Sequence, residues 1–225
     1  MIKSIFKEKY NINEEKMTKF DTFFHFLCHE NEKYNLTSIT DEDGVYEKHF
    51  YDSLSILNSN FDLNNKTILD VGSGGGMPGI PLAIMLPSTT VNFLDSNNKK
   101  ISFINEACNL LKLPHNSIYG RAEETTAKYD VVIARGVARL NILLEICVNL
   151  VKEGGVLIAM KGSNFEEEIN EAKNAINTLG YKLEFKQSYS LPIEGSGRNN
   201  LFFIKAKKHD TKYPRQFSQI KKKTL

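Results

Sequence analysis

The chain has 225 residues, of which 41% are hydrophobic and 25% charged, with a formal charge of +2. That composition excludes a disordered or collagen-like chain. The longest apolar run, Ile80 to Leu86, is far short of the roughly 20 residues that cross a bilayer, and Met1 to Tyr10 lacks the apolar stretch of a signal peptide. Cys28, Cys108 and Cys147 are odd in number, widely spaced and without a Cys-x-x-Cys pair. They read as neither a disulfide framework nor a zinc site, so no metal, no membrane and a reducing cytoplasm are expected.

The first elements are helical. Asn13 followed by Glu14 and Glu15 is an N-cap with acids in the first turn, and Met17, Phe20, Phe24, Leu27 and Cys28 recur at helical spacing to about Tyr34. After a polar break at residues 35–43, Tyr46, Phe50, Leu54 and Leu57 repeat every three or four residues and predict another helix. Residues 1–64 therefore form an N-terminal helical extension. From Asn65 the period changes: TILDV, TVNFLD, NSIYG, YDVVIARG, GGVLIAMKG, KLEFKQ and NLFFIKAKK alternate with helical stretches at 78–86, 99–111, 140–151 and 165–179, the last ended by Gly180. Strands alternating with helices predict an α/β fold, a doubly wound, Rossmann-like and mostly parallel sheet of seven strands over 65–225.

The end of the first strand carries the strongest local signal, LDVGSGGGMPGIP at residues 69–81. Asp70, Gly72, Gly74 and Gly76 spell D-x-G-x-G-x-G, while the frame that starts at Gly72 fails the dinucleotide pattern G-x-G-x-x-G at Met77. An acid at the end of the strand repels a pyrophosphate but attracts the ammonium of a methionyl group. That is the arrangement of an S-adenosylmethionine site. A carboxylate at the end of the second strand is then expected to take both ribose hydroxyls, and Asp95 closes VNFLD there; its bland alternative is a helix cap. Strand three ends in GRAEE, where the backbone of Ala122 and Glu123 faces the expected position of the adenine.

Strand four ends in Arg135, with Arg139 one helical turn on, and strand five ends in Lys161. In a parallel α/β sheet these positions border the same crevice as the glycine turn, and cations there suit an anionic substrate. An ion pair of Arg135 or Lys161 with Asp70 or Glu123 is the structural alternative. The Asn/Asp-Pro-Pro-aromatic turn that serves exocyclic amines is replaced by Ala134-Arg135-Gly136-Val137, and the cysteines sit in apolar patterns rather than as nucleophiles. An acceptor with its own lone pair, such as guanine N7, needs neither device. A ribose hydroxyl activated by Lys161 stays open on this argument.

Together the quoted segments, with YNLTSI at 34–39, HFYDSL at 49–54, LDSNNKKISFI, ARGVARL and KYPR at 212–215, resemble the RsmG (GidB, glucose-inhibited division protein B) family of bacterial 16S ribosomal RNA guanine-N7 methyltransferases over nearly the whole chain. The resemblance implies a class I methyltransferase fold, S-adenosylmethionine as cofactor and 16S ribosomal RNA or the small subunit as partner. It places cofactor contacts on Gly72, Met77, Ala122, Glu123 and Arg135, to which the glycine-turn and ribose arguments add Gly74, Gly76 and Asp95. Arg139, Lys161, Arg198 and His49 are the candidates for positioning substrate. Met77 stands where the family usually has phenylalanine or leucine, and QFSQIKKKTL replaces the family's glycine and proline pattern after KYPR. The alternatives are an RNA 2′-O-methyltransferase and a noncatalytic S-adenosylmethionine- or RNA-binding module of ribosome assembly.

The charge is unevenly distributed. Residues 198–225 hold nine Lys and Arg against one acid, Asp210, while the preceding 197 carry 20 basic and 26 acidic residues. Such a tail is expected to hold RNA phosphates, and its removal after Lys208 to leave the cofactor site untouched. A single compact unit without heptads predicts a monomer.

Overall fold

The structure, a computed structural model, describes Met1 to Leu225. Its centre is one seven-stranded sheet in the order β3-β2-β1-β4-β5-β7-β6, with β1 at Ile68–Val71, β2 at Val91–Asp95, β3 at His115–Tyr119, β4 at Tyr129–Arg135, β5 at Val151–Lys161, β6 at Tyr181–Ser190 and β7 at Gly197–Lys205. The first five strands run parallel, and β7 is antiparallel to both of its neighbours. The order reverses between β1 and β4. At such a switch point the loops on the two sides part and leave a crevice beyond the carboxyl ends of the strands.

Alternation along the central strands divides the core into two layers. Ile68, Val131, Ile133, Val156 and Ile158 join one apolar cluster, and Leu69, Val71, Val132, Ala134, Leu157 and Ala159 the other. The N-terminal helices cover the first layer. They are α1 (Ile2–Lys9), α2 (Glu14–Tyr34), and a continuous irregular helix made of α3 (Glu42–Gly44), a π-helical stretch at Val45–Tyr51, α4 (Asp52–Leu54) and a 3₁₀ turn at Ser55–Asn58. Asn13 caps α2 by accepting from the Lys16 backbone N–H, as its position before two acids predicts. Phe6 packs edge to face on Phe20 and Tyr46, and Tyr46 on Phe50, at 4.9–5.6 Å, a geometry that satisfies the ring quadrupoles. The helices α5 (Gly79–Met85) and α6 (Asn98–Leu110) pack on the same layer, and α7 (Leu140–Ile146), α8 (Phe165–Glu171), α9 (Lys173–Thr178) and α10 (Phe217–Lys222) lie along the second. No helix is long and apolar enough to cross a membrane.

Two helices differ from their predicted extents. The helix expected over 140–151 stops at Ile146, because Val151 pairs with Tyr129 and is already in β5. The helix expected over 165–179 bends at Ala172, which is fully buried beneath it with φ −84° and ψ 1°. Sheet pairing in one case and close packing in the other override the apolar period.

The basic end departs furthest from expectation, because it is folded rather than extended. Arg198 and Lys205 stand at opposite ends of β7, roughly 23 Å apart at strand rise. Lys205 is 2% exposed, and its ammonium donates to the Leu179 carbonyl. Arg215 is paired with Glu145 on α7, and α10 buries Ile220 against the second layer. Arg198, Lys205 and Arg215 are thus held at separate points of the fold instead of in one extended tail.

Candidate functional site

Two clefts open at the carboxyl edge of the sheet, and Val137, just after β4, lines both. The smaller holds about 350 Å³ and is lined by Gly72, Asp95, Gly120, Arg121, Ala122, Glu123 and Phe217 among others. The larger holds about 640 Å³, and its polar lining includes Lys48, His49, Asp52, Arg135, Arg139, Lys161, Tyr189 and Arg198. Of the predicted cofactor residues, Gly72, Asp95, Ala122 and Glu123 line the smaller cleft, whereas Arg135 lines the larger one beside the predicted substrate-side residues, and Gly74 lies in the turn behind, lining neither.

In the smaller cleft the glycine turn works by backbone geometry. Gly72 has φ +67°, and a Cβ there would come within 2.6 Å of Val137 Cγ2, so only glycine lets the turn after β1 meet the loop after β4. Gly74 also has a positive φ and donates its N–H to Asp95 Oδ2 at 2.9 Å, while Asp95 Oδ1 accepts from Asn97 N at 2.8 Å. The cap of α6 is Asn97 rather than Asp95. Two backbone donors fix the Asp95 carboxylate, and each oxygen keeps a lone pair for a ligand. Ala122 and Glu123 form a 3₁₀ turn at the rim. Glu123 Oε1 is buried without a hydrogen bond, its nearest charge being Arg121 Nη1 at 3.6 Å.

Three residues of the glycine segment lie elsewhere than expected. Met77 is buried in the first apolar layer, and Gly76 precedes it in the turn; neither lines a cleft. Asp70 is the penultimate residue of β1, since Val71 continues the ladder opposite Leu94. Its side chain is 1% exposed and turns back to accept from the Gly79 N–H at 2.9 Å, which leaves Oδ1 unpartnered. The aspartate thus pins the far end of the turn instead of standing in the crevice. Burial pushes its carboxyl up to about 7, a rise that the Gly79 N–H and the Arg135 charge only moderate.

The sign of the resulting pH dependence follows. A carboxyl raised from the ordinary 3.8 binds more protons folded than unfolded between those two values, so stability falls as pH rises through that window. Between pH 5 and 7 this group removes about 2 kcal/mol. Denaturant titrations should show that loss in the parent chain and not in Asp70→Asn, which keeps an acceptor for Gly79; parallel pH profiles would contradict it.

The larger cleft is built around Asp52, which sequence reasoning missed. Asp52 is 4% exposed; Oδ2 pairs with Arg135 Nη1 at 2.7 Å, and Oδ1 accepts from Tyr189 Oη at 2.7 Å and faces Arg198 Nε at 3.6 Å. The available signal was an acid flanked by Phe50, Tyr51 and Leu54, since a carboxylate buried among such neighbours must be paired. The structural alternative, an ion pair of Arg135 or Lys161 with Asp70 or Glu123, does not form. Lys161 donates instead to the Ala138 carbonyl and to Glu168 Oε2, both at 2.7 Å, and Arg139 pairs with Glu171. Each candidate cation is thereby held in place by an acid before any substrate arrives.

His49 lies on the π-helical stretch, a distortion that often marks functional sites. Arg135 Nη2 can only donate to His49 Nδ1, at 3.4 Å, so the proton sits on Nε2 and is donated to Thr37 Oγ1 at 2.8 Å. Burial first, and then the Arg135 charge, lower His49 to about 4. At neutral pH it is an uncharged bridge between Arg135 and the YNLTSI segment. Burial pushes the Cys147 and Cys108 thiols upward, Cys108 to about 12, so neither is a nucleophile. A polar network joins this wall to the antiparallel strands: Ser55 Oγ donates to Tyr189 Oη at 2.8 Å and accepts from Asn200 Nδ2 at 2.9 Å. Glu47 Oε1 takes the Ile193 and Glu194 N–H groups of the β6–β7 turn.

Comparison with known proteins supplies what geometry alone cannot. The family model described as rRNA small subunit methyltransferase G matches residues 16–194. The ribosomal RNA small subunit methyltransferase G of Lysinibacillus sphaericus is 43% identical over 223 residues, covering 96% of this chain and 93% of that protein. The protein of that name from Staphylococcus aureus strain Newman is 45% identical over 213 residues, 91% and 88% of the two chains. Among solved structures, M. jannaschii TYW2 in complex with AdoMet aligns with a TM-score of 0.55 at 21% identity, over 74% of this chain and 78% of that one. At that identity the likeness is one of fold.

Proposed function

Because the chain belongs to the rRNA small subunit methyltransferase G family, we propose that it transfers the methyl group of S-adenosylmethionine to N7 of a guanine in 16S ribosomal RNA. The observation that carries this reading is the pairing of compartments: an acid-edged glycine cleft shares Val137 as a wall with a cleft of five cationic side chains and two acids. The residues present fit the cofactor. Gly72 lines the cleft with bare backbone, Asp95 has free lone pairs at the ribose position, and the buried Glu123 Oε1 lacks a donor such as an adenine amine would supply. When bound, S-adenosylmethionine supplies an electrophilic sulfonium methyl.

In this reading residues 65–225 form the methyltransferase unit, and the helices of 1–64 contribute Lys48, His49 and Asp52 to the substrate wall. Arg135, Arg139, Lys161 and Arg198 hold phosphate and base, while Gly72, Gly74, Asp95, Ala122 and Glu123 hold the cofactor. Gly76 and Met77 act behind it by shaping the turn. Guanine N7 attacks with its own lone pair, so the wall needs to orient the base and exclude water, not to remove a proton. That suits a cleft whose histidine is neutral and engaged and whose Lys161 uses its Nζ as a donor twice; a 2′-hydroxyl acceptor would need a free base, and the carboxylates of Asp52 and Glu168 are both committed to cations. N7 lies in the narrow major groove of an RNA helix, so the guanine must be unpaired or splayed out to enter. A monomer in the bacterial cytoplasm is the simplest setting.

The test is to incubate the protein with methyl-labelled S-adenosylmethionine and bacterial small subunits, then cleave the RNA under conditions selective for 7-methylguanosine. Label at a single such cleavage position is expected. Label without cleavage would move the acceptor elsewhere, and cofactor binding without label would favour a noncatalytic module.

A further inference from the structure

The KYPR segment and the helix after it bring one residue, Phe217, to the cofactor cleft, with no role so far given to it. Phe217, the first residue of α10, lines the smaller cleft beside Arg121, Ala122 and Glu123. It also lines the adjoining surface groove formed with Pro214, Arg215 and Lys221, so the ring is the partition between the cleft and the outside. The guanidinium of Arg121 lies 5.5 Å from its centroid and the Lys221 ammonium 5.1 Å, both within the range of cation–π attraction.

What holds the ring there is built in depth. Glu145 on α7 is fully buried and accepts from the Arg215 backbone N–H at 3.2 Å, from its Nε at 2.7 Å and from its Nη2 at 2.6 Å. Two residues beyond Arg215 comes Phe217, and one turn further Ile220 is 0% exposed in the second apolar layer. Phe217 itself is only half-buried. An aromatic ring held on both sides by anchors, but left partly uncovered at the mouth of a cleft, is a surface awaiting a flat apolar partner.

We propose that the C-terminal segment is a strap that completes the cofactor site, with Phe217 as the outer wall against the adenine of S-adenosylmethionine. This rests on the reading of the smaller cleft as the adenosyl site. It assigns the KYPR arginine a positioning role: Arg215 acts through Glu145 and the backbone to set Phe217 and does not touch the ligand. The end of the chain thereby serves cofactor affinity, and Lys221 lines the groove on the outer side of Phe217 instead of trailing from the molecule.

The experiment is calorimetric titration of the full-length protein with S-adenosylmethionine and S-adenosylhomocysteine. Phe217→Ala is expected to weaken both by roughly tenfold, the scale of losing an aromatic contact to a base, while Phe217→Tyr restores affinity to within about threefold. A second readout comes from Phe217→Trp: the chain has no tryptophan, so the introduced indole is the sole reporter, and its fluorescence should change saturably with either ligand and not with free methionine. Asp95→Asn serves as the reference. If the parent protein binds neither ligand, the cofactor reading fails; if it binds both, and Asp95→Asn weakens them while Phe217→Ala matches the parent, the strap alone is refuted. Unchanged indole emission at saturating ligand would refute it equally.

Discussion

Asp52→Ala should lower kcat/KM toward the small subunit by about 100-fold, the cost of misplacing groups that orient a substrate by an ångström or so. The carboxylate is the shared partner of Arg135 and Arg198, one from the end of β4 and the other from the start of β7. Without it the two guanidiniums repel, Tyr189 loses its acceptor at 2.7 Å, and the Arg135 contact that keeps His49 in one tautomer is free to shift. Breaking a buried pair by removing one partner costs about 3–5 kcal/mol. The lower end applies, because the Arg135 and Arg198 side chains remain 19% and 27% exposed and water can reach them. Asp52→Asn should fall between parent and alanine, since the amide oxygen still accepts from Tyr189 but carries no charge for the arginines. Steady-state methyl transfer and urea denaturation on the same preparations check both parts; a folded Asp52→Ala within threefold of the parent rate would rule out the positioning role.

Arg215→Ala should be the most destabilising single change in the basic tail. Glu145 is 0% exposed, and Arg215 is its only cationic partner, joined by three donated hydrogen bonds. Truncating the arginine leaves a carboxylate buried without compensation, at about 3–5 kcal/mol, or roughly 10 °C in Tm for a chain of this size. Glu145→Gln combined with Arg215→Ala should recover much of that loss, because the stranded charge and not the missing contact is the greater penalty. Additive losses in the double variant would contradict this account. Deletion after Lys208 also removes Arg215, Phe217 and Ile220, so it should disturb the cofactor cleft as well as RNA affinity, in contrast to what a charged, extended tail would do.

The order of elements from β1 onward was legible because the central strands are buried apolar runs, the outer strand β6 alternates, and each is bounded by turn chemistry. The glycine turn declared itself through D-x-G-x-G-x-G, and Asp95, Ala122 and Glu123 through their places at strand ends. Periodicity failed where a longer-range contact took over: at Val151, claimed by pairing with Tyr129, and at Ala172, bent by packing. It also passed over α1, whose eight residues bury only Ile2 and Phe6, too few for a readable repeat.

The sequence by itself determined that the glycine turn and Asp95 stand at the carboxyl edge of the sheet. Backbone conformation and strand register are local properties, and a residue at the end of a parallel strand faces the crevice whatever the rest of the chain does. Only the tertiary structure decided which charge meets which. Asp52 lies 83 residues from Arg135, and Glu145 lies 70 residues from Arg215; no spacing rule connects such positions, and the energy of an ion pair depends on separation and burial that only the folded chain defines. The same holds for the basic end. Its net charge could be counted in advance, but chain reversal along β7 and the anchoring of α10 determine where each cation stands.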